Sequence, residues 1–231
     1  MSARALVLAG ALVAAGCAVE TVRQRSYPRL DEGVETISRV AVAPFASAGD
    51  LAQVERRAQI DASASIGAPP PGPGVPAAEA TALVARYLSE ALAKQGLDVT
   101  THEDLGRVLA EVGADAGAPR EVAQLANERF GAEAVVIGSV ARYRERTGGA
   151  QESGAASVWF EVALYTAPGG EKLWSGVFNE TQRPALGNVL VASRYPGGGS
   201  RWLSAEELAR WGAEQTAQSM PLGSAGPGPR P

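Results

Sequence analysis

Apolar positions along this chain change rhythm twice, and each change marks a new kind of element. The first segment, RVAVAPF at Arg39 to Phe45, is apolar almost without interruption and meets Pro44 near its end. A short apolar run stopped by proline predicts a buried strand. Residues 77–96 then place Ala80, Leu83, Val84, Tyr87, Leu88, Ala91 and Leu92 at helical spacing, with Gly96 as a stop. LDVT, Leu97 to Thr100, reads as a short strand. A second helix starts at Thr101, with Asp104 in a capping-box position and Leu105, Val108, Leu109 and Val112 on one face. Pro119 starts a third, carrying Val122, Leu125, Ala126 and Phe130.

After Phe130 the period becomes two. AEAVVIGSVARYRE, ASVWFEVALYTA and EKLWSGVFNET follow one another, and in the second of them Val158, Phe160, Val162 and Leu164 alternate with Trp159, Glu161, Ala163 and Tyr165. That alternation predicts strands with one face buried and the other partly exposed. APGGE at Ala167 to Glu171 is a tight turn, so the three strands form an antiparallel meander. A last helix begins at Ser204, where Ser204 and Glu207 make a capping box and Leu203 can staple onto Leu208. The order β-α-β-α-α-β-β-β-α predicts an α/β domain. A βαβ unit with right-handed crossover places the first two strands parallel, the meander extends this single mixed sheet, and helices flank it.

The flanking segments are polar or rich in proline and glycine. Residues 17–36 read as an aperiodic tether and 37–220 as the domain. Residues 47–76, with SIGAPPPGPGVP, read as a mobile loop, a tolerated insertion sooner than a regulatory device. The tail 221–231 has the composition of a disordered segment.

Residues 1–16 form a different kind of segment. Arg4 precedes an apolar run from Ala5 to Ala15, followed by Gly16 and Cys17, the one cysteine of the chain. The run reaches only about 16 Å as a helix, whereas a bilayer core of about 30 Å needs roughly 20 apolar residues. It therefore reads as a signal peptide. Small residues before Cys17 resemble the bacterial lipobox, although Ala14 stands where leucine is usual, and the alternative is a plain signal peptide ending near a buried cysteine. In the lipobox reading Cys17 is acylated and becomes the first residue of the mature chain. Ala18, where an aspartate would direct retention at the inner membrane, favours the outer membrane. Several acyl chains anchor firmly at about 0.8 kcal/mol per buried CH₂.

Composition narrows the rest. Of the 231 residues 45% are hydrophobic and 20% charged, and the net charge is −4, with no basic cluster. This is a globular composition with no call for a nucleic-acid partner. A single cysteine excludes an internal disulfide and a cysteine-cluster zinc site.

Candidate chemistry is sparse. His102, the one histidine, stands beside Glu103 and Asp104, but no nucleophile or orienting partner accompanies it. An exposed helix-start residue is the simpler reading. Glu103 with Asp104, and Glu206 with Glu207, fall in first helical turns, where negative charge opposes the macrodipole. YPGGGSRW at Tyr195 to Trp202 lacks the lysine and the spacing of a phosphate loop. Trp159, Trp174 and Phe178 could stack a ligand, yet alternating strand aromatics ordinarily pack the sheet. We therefore assign no catalytic, cofactor-binding or metal-binding residue from the sequence, and no cofactor.

Three segments carry a resemblance: RVAVAPF, FGAEAVVIGSVARY at Phe130 to Tyr143, and VALYTAPGGEKLWSG at Val162 to Gly176. Together they resemble the envelope lipoproteins related to the curli-secretion lipoprotein (CsgG) and the penicillin-binding-protein activator LpoB, whose fold is similar to the TolB amino-terminal domain. The resemblance covers about residues 37–220, and its motifs are structural. It implies a non-enzymatic accessory protein of the bacterial envelope, lipid-anchored in the outer membrane through Cys17 and facing the periplasm. Such a protein is an adaptor or activator of an envelope machine for peptidoglycan synthesis, secretion or surface-structure assembly, with an envelope protein as partner. The alternative is a subunit of a ring-forming outer-membrane secretion complex, and a lesser one is a hydrolase using an acidic residue such as Glu171. RERTGGAQESGAA at Arg144 to Ala156 offers no apolar face for a membrane-spanning hairpin, which weighs against a channel. The polar loops 144–156 and 182–201 are the candidate contact face. The partner and the oligomeric state stay open on the sequence.

Overall fold

The computed structural model describes residues 21–27, 37–47, 77–146, 155–182, 195–196 and 201–222. Its strands are β1 (Val22–Ser26), β2 (Arg39–Val42), β3 (Ala46–Ser47), β4 (Asp98–Thr100), β5 (Ala134–Arg144), β6 (Ser157–Thr166) and β7 (Lys172–Thr181). Its helices are α1 (Ala77–Lys94), α2 (His102–Val112), α3 (Pro119–Phe130) and α4 (Ala205–Ser219). One mixed sheet runs β1-β7-β6-β5-β2-β4, with β3 paired to β5 beside that path.

The expected class is the observed one. β2 and β4 are parallel across the α1 crossover, β2 also pairs parallel with β5, and β5, β6 and β7 form the antiparallel meander. Alternate residues of β2 and β5 enter opposite layers. Val40, Val42, Ala134 and Val136 pack with α1 and α4, while Ala41, Ala43 and Val135 pack with α2 and α3. Period two along the strand therefore divides the apolar residues between two cores.

The larger core is centred on the meander. The Phe160 and Phe178 rings stack across β6 and β7 with centroids 5.1 Å apart, and Trp211 of α4 meets Phe178 edge-on at 5.7 Å. α4 can lie this close because of Gly212, where a Cβ would stand 2.6 Å from the Phe178 ring. Two of the resemblance motifs meet at a similar contact. The Phe45 ring that ends RVAVAPF covers Gly138 of β5, and a Cβ on that glycine would fall 2.5 Å from the ring's Cζ. The motif residues thus fix how β2 and its following turn sit on β5.

The helix starts follow the sequence signals. Asp104 N donates to Thr101 Oγ at 3.3 Å, Pro119 opens α3, and the Ser204–Glu207 capping box is complete.

One expectation is corrected. Val22–Ser26 lies in the stretch read as tether, but it is a strand of the sheet, antiparallel to β7 from Val22 opposite Phe178 to Ser26 opposite Trp174. Its sequence VRQRS shows no alternation because only Val22 is buried within it, and the remaining side chains are exposed. Charged residues on an edge strand also discourage pairing with other chains. The leader with Cys17, residues 48–76 of the expected loop and 223–231 of the expected tail lie outside the described residues.

Candidate functional site

Among the described residues the two faces of the sheet are covered unequally. The α2–α3 core ends at Ile137, Tyr165 and Ala167. Beyond it, the same face of β5, β6, β7 and β1 presents polar and cationic side chains. Strand register sets them in rows: Arg142 beside Trp159 beside Asn179, then Glu161 beside Val177 beside Arg23, then Ala163 beside Ser175 beside Arg25.

At the β1 edge, cations and rings alternate. Arg25 lies 5.5 Å from the Tyr27 ring, and Lys172 lies 5.5 Å from that ring and 5.6 Å from Tyr165. Such contacts are worth about 0.5–1 kcal/mol each at exposed sites. They hold positive charge at the Ser26 end of β1.

At the other end of this face Arg142 is buried, 6% exposed. Its Nη2 donates to Asn179 Oδ1 at 2.6 Å, and its Cζ stands 5.9 Å from the Trp159 ring. Burial depresses the Arg142 pKa, and the like charge of Arg144 depresses it further. Neither arginine was singled out from the sequence. The available signal was SVARYRE itself, in which two charges interrupt a buried strand.

The residues weighed on the sequence fall into structural positions. His102 corrects its expected exposure: it is 7% exposed, and its Nδ1 lies 3.1 Å from Glu103 Oε2. α2 follows β4 after Thr101 alone, which presses its first residue into the fold beside α1. Burial holds the imidazole pKa below its ordinary value, opposed by Glu103 and aided by Arg86. Glu206 accepts a 2.6 Å hydrogen bond from Tyr87 OH, joining α4 to α1, while Arg210 stacks 4.3 Å from the Tyr87 ring. Glu207 accepts from the Ser204 backbone N–H at 3.0 Å and from Arg201 at 2.6 Å and 2.8 Å. The Arg201 bonds, with that backbone bond second, hold its pKa down to about 2.

Trp174 and Phe178 are core residues, whereas Trp159 is half-buried on the open face. Tyr195 is buried and donates to Glu180 Oε1 at 2.7 Å. Glu171 sits exposed in the β6–β7 turn, where its backbone N–H donates to Thr166 Oγ at 3.0 Å. Of the two candidate contact loops, residues 147–154, 183–194 and 197–200 lie outside the described residues. Among the described residues no cluster of three or more His, Cys, Asp or Glu side chains could hold a metal ion. No helix among them is long and apolar enough to cross a membrane.

No family model matches the chain, and no curated protein matches it. Among solved structures, the PelC dodecamer from Paraburkholderia phytofirmans is similar at 17% identity and TM-score 0.45, over 88% of this chain and 98% of that one. Lipoprotein GNA1162 from Neisseria meningitidis is similar at 16% identity and TM-score 0.36, over 68% of this chain and 94% of that one. The LpoB C-terminal domain from Escherichia coli is similar at 18% identity and TM-score 0.36, over 63% and 83%. At these identities and scores the likenesses decide neither family nor activity.

Proposed function

We propose that this chain is an outer-membrane lipoprotein, acylated on Cys17, whose α/β domain works by contact within an envelope assembly and performs no reaction of its own. The leader sequence supports the anchor. The acidic pairs support the non-enzymatic reading, because Asp104, Glu206 and Glu207 hold structural partners in Thr101, Tyr87 and Arg201.

The observation that carries the proposal is the position of β1. Val22 follows Cys17 by five positions, so residues 18–21 span at most about 17 Å even when fully extended. A tether of some 20 residues would average about 25 Å and reach further when stretched. A domain on so short a link stays at the membrane surface.

This geometry favours the subunit of a surface-bound complex, including a ring-forming secretion complex, over an activator reaching a distant synthase.

Native mass spectrometry of the detergent-extracted protein tests the assignment. A single high-order oligomer is the expected result. A monomer recovered with a peptidoglycan synthase returns the activator reading. Crosslinked purification from membranes that yields no envelope protein and no self-association overturns both.

A further inference from the structure

We propose that Arg142, Arg144 and Trp159 form an oxyanion site that takes a phosphate group. Four nitrogen donors in this patch are buried and without a hydrogen-bond partner: Arg142 Nε and Nη1, Arg144 Nε and Trp159 Nε1. They belong to side chains on one face of two paired strands. Arg142 registers with Trp159 and Arg144 with Ser157, and residues 142 and 144 share a face by strand alternation.

A guanidinium keeps its proton inside a protein, so burial cannot be relieved by neutralisation. Buried charge is ordinarily paired, and a buried donor left unpaired carries the full cost of its lost hydration. Here the one bond to Arg142 comes from a neutral amide, Asn179 Oδ1, and the charge beside it is a second arginine. Glu161, the carboxylate that β6 presents on this face, registers opposite Ser139 and not opposite either arginine. Among the described residues the patch therefore holds two positive charges with donors to spare, and no hydrogen bond brings a carboxylate to either guanidinium.

The charge selects the ligand. A single carboxylate would leave one positive charge uncompensated, whereas a phosphate dianion matches both guanidiniums and offers enough oxygens for all four donors. Ser157 adds hydroxyl polarity on the same row, although its Oγ already contacts Thr181 Oγ at 2.7 Å. The phosphate belongs to a monoester, either a soluble molecule or a lipid with a terminal phosphate such as phosphatidic acid, and the chemistry is shared. The site stands whether or not Cys17 is acylated.

The test is titration of the full-length protein in detergent with inorganic phosphate, read by calorimetry and by the Trp159 indole N–H resonance, which Trp159→Phe assigns. Acetate at equal ionic strength is the control. Saturable phosphate binding that moves this resonance is expected, with acetate much weaker. Arg144→Gln is expected to weaken binding about tenfold or more, and Arg142→Gln at least as much. If Arg142→Gln fails to fold, Arg144→Gln and Trp159→Phe decide the question. Vesicles containing phosphatidic acid that compete with phosphate, and do so less after Arg144→Gln, identify a headgroup. Vesicles without effect identify a soluble phosphate. No saturable phosphate binding by the wild type, or equal affinity in the Arg144→Gln and Trp159→Phe variants, overturns the site.

Discussion

The Trp174 indole N–H donates to the Gln24 side-chain oxygen at 3.1 Å, across 150 positions of sequence. Trp174 is 1% exposed, so this bond ties a residue near the amino terminus to the core. Gln24→Leu removes the acceptor and leaves a buried donor unpaired, at a cost of about 1–3 kcal/mol. Chemical denaturation measures that loss. Amide hydrogen exchange should show β1 losing protection before β5 and β6.

Gly138 lies under the Phe45 ring, which is itself buried at 7% exposure and has little room to retreat. Gly138→Ala forces the ring or the strand aside, and overpacking of this kind costs about 1–3 kcal/mol. Thermal melting should show the drop. Gly138→Ala combined with Phe45→Ala should melt higher than the sum of the two single losses implies, because the clash disappears with the ring.

Glu207 gives stability a dependence on acid. Its folded pKa of about 2 lies below the ordinary value of 4.5. The stability its charge contributes is therefore present above the unfolded value and is lost as pH falls towards 2. The group is partly exposed to solvent, so the effect is screened. Urea melts between pH 5 and pH 2.5 should show the wild type losing stability, and Glu207→Gln, already weaker at pH 7, losing less over that range.

The meander and the helix starts were legible in the sequence because their signals are local. Val158 to Leu164 alternate, and Thr101, Pro119 and Ser204 carry their own capping chemistry. β1 was not legible, since an edge strand with one buried residue has no period to detect, and its partners Trp174 and Phe178 lie far along the chain. His102 was misjudged because its burial comes from the missing loop between β4 and α2, a property of packing. The arginine patch is likewise non-local: Arg142 meets Asn179 across 37 positions, and nothing in either segment announces the other.

The position of β1 also makes a prediction about the link. A flexible insertion of about 20 Gly and Ser residues after position 20 leaves the sheet untouched but raises the average reach by about 15 Å. Membrane attachment should be unchanged. Crosslinking to outer-membrane partners should fall, since the domain then spends most of its time away from the surface.

The most direct test is the intact mass of the protein extracted from membranes, compared with Cys17→Ala. A mature chain beginning at Cys17 and carrying the added mass of acyl groups, with the variant released to the soluble fraction, is the predicted result. An unacylated soluble wild type, or a leader still attached, would contradict the account.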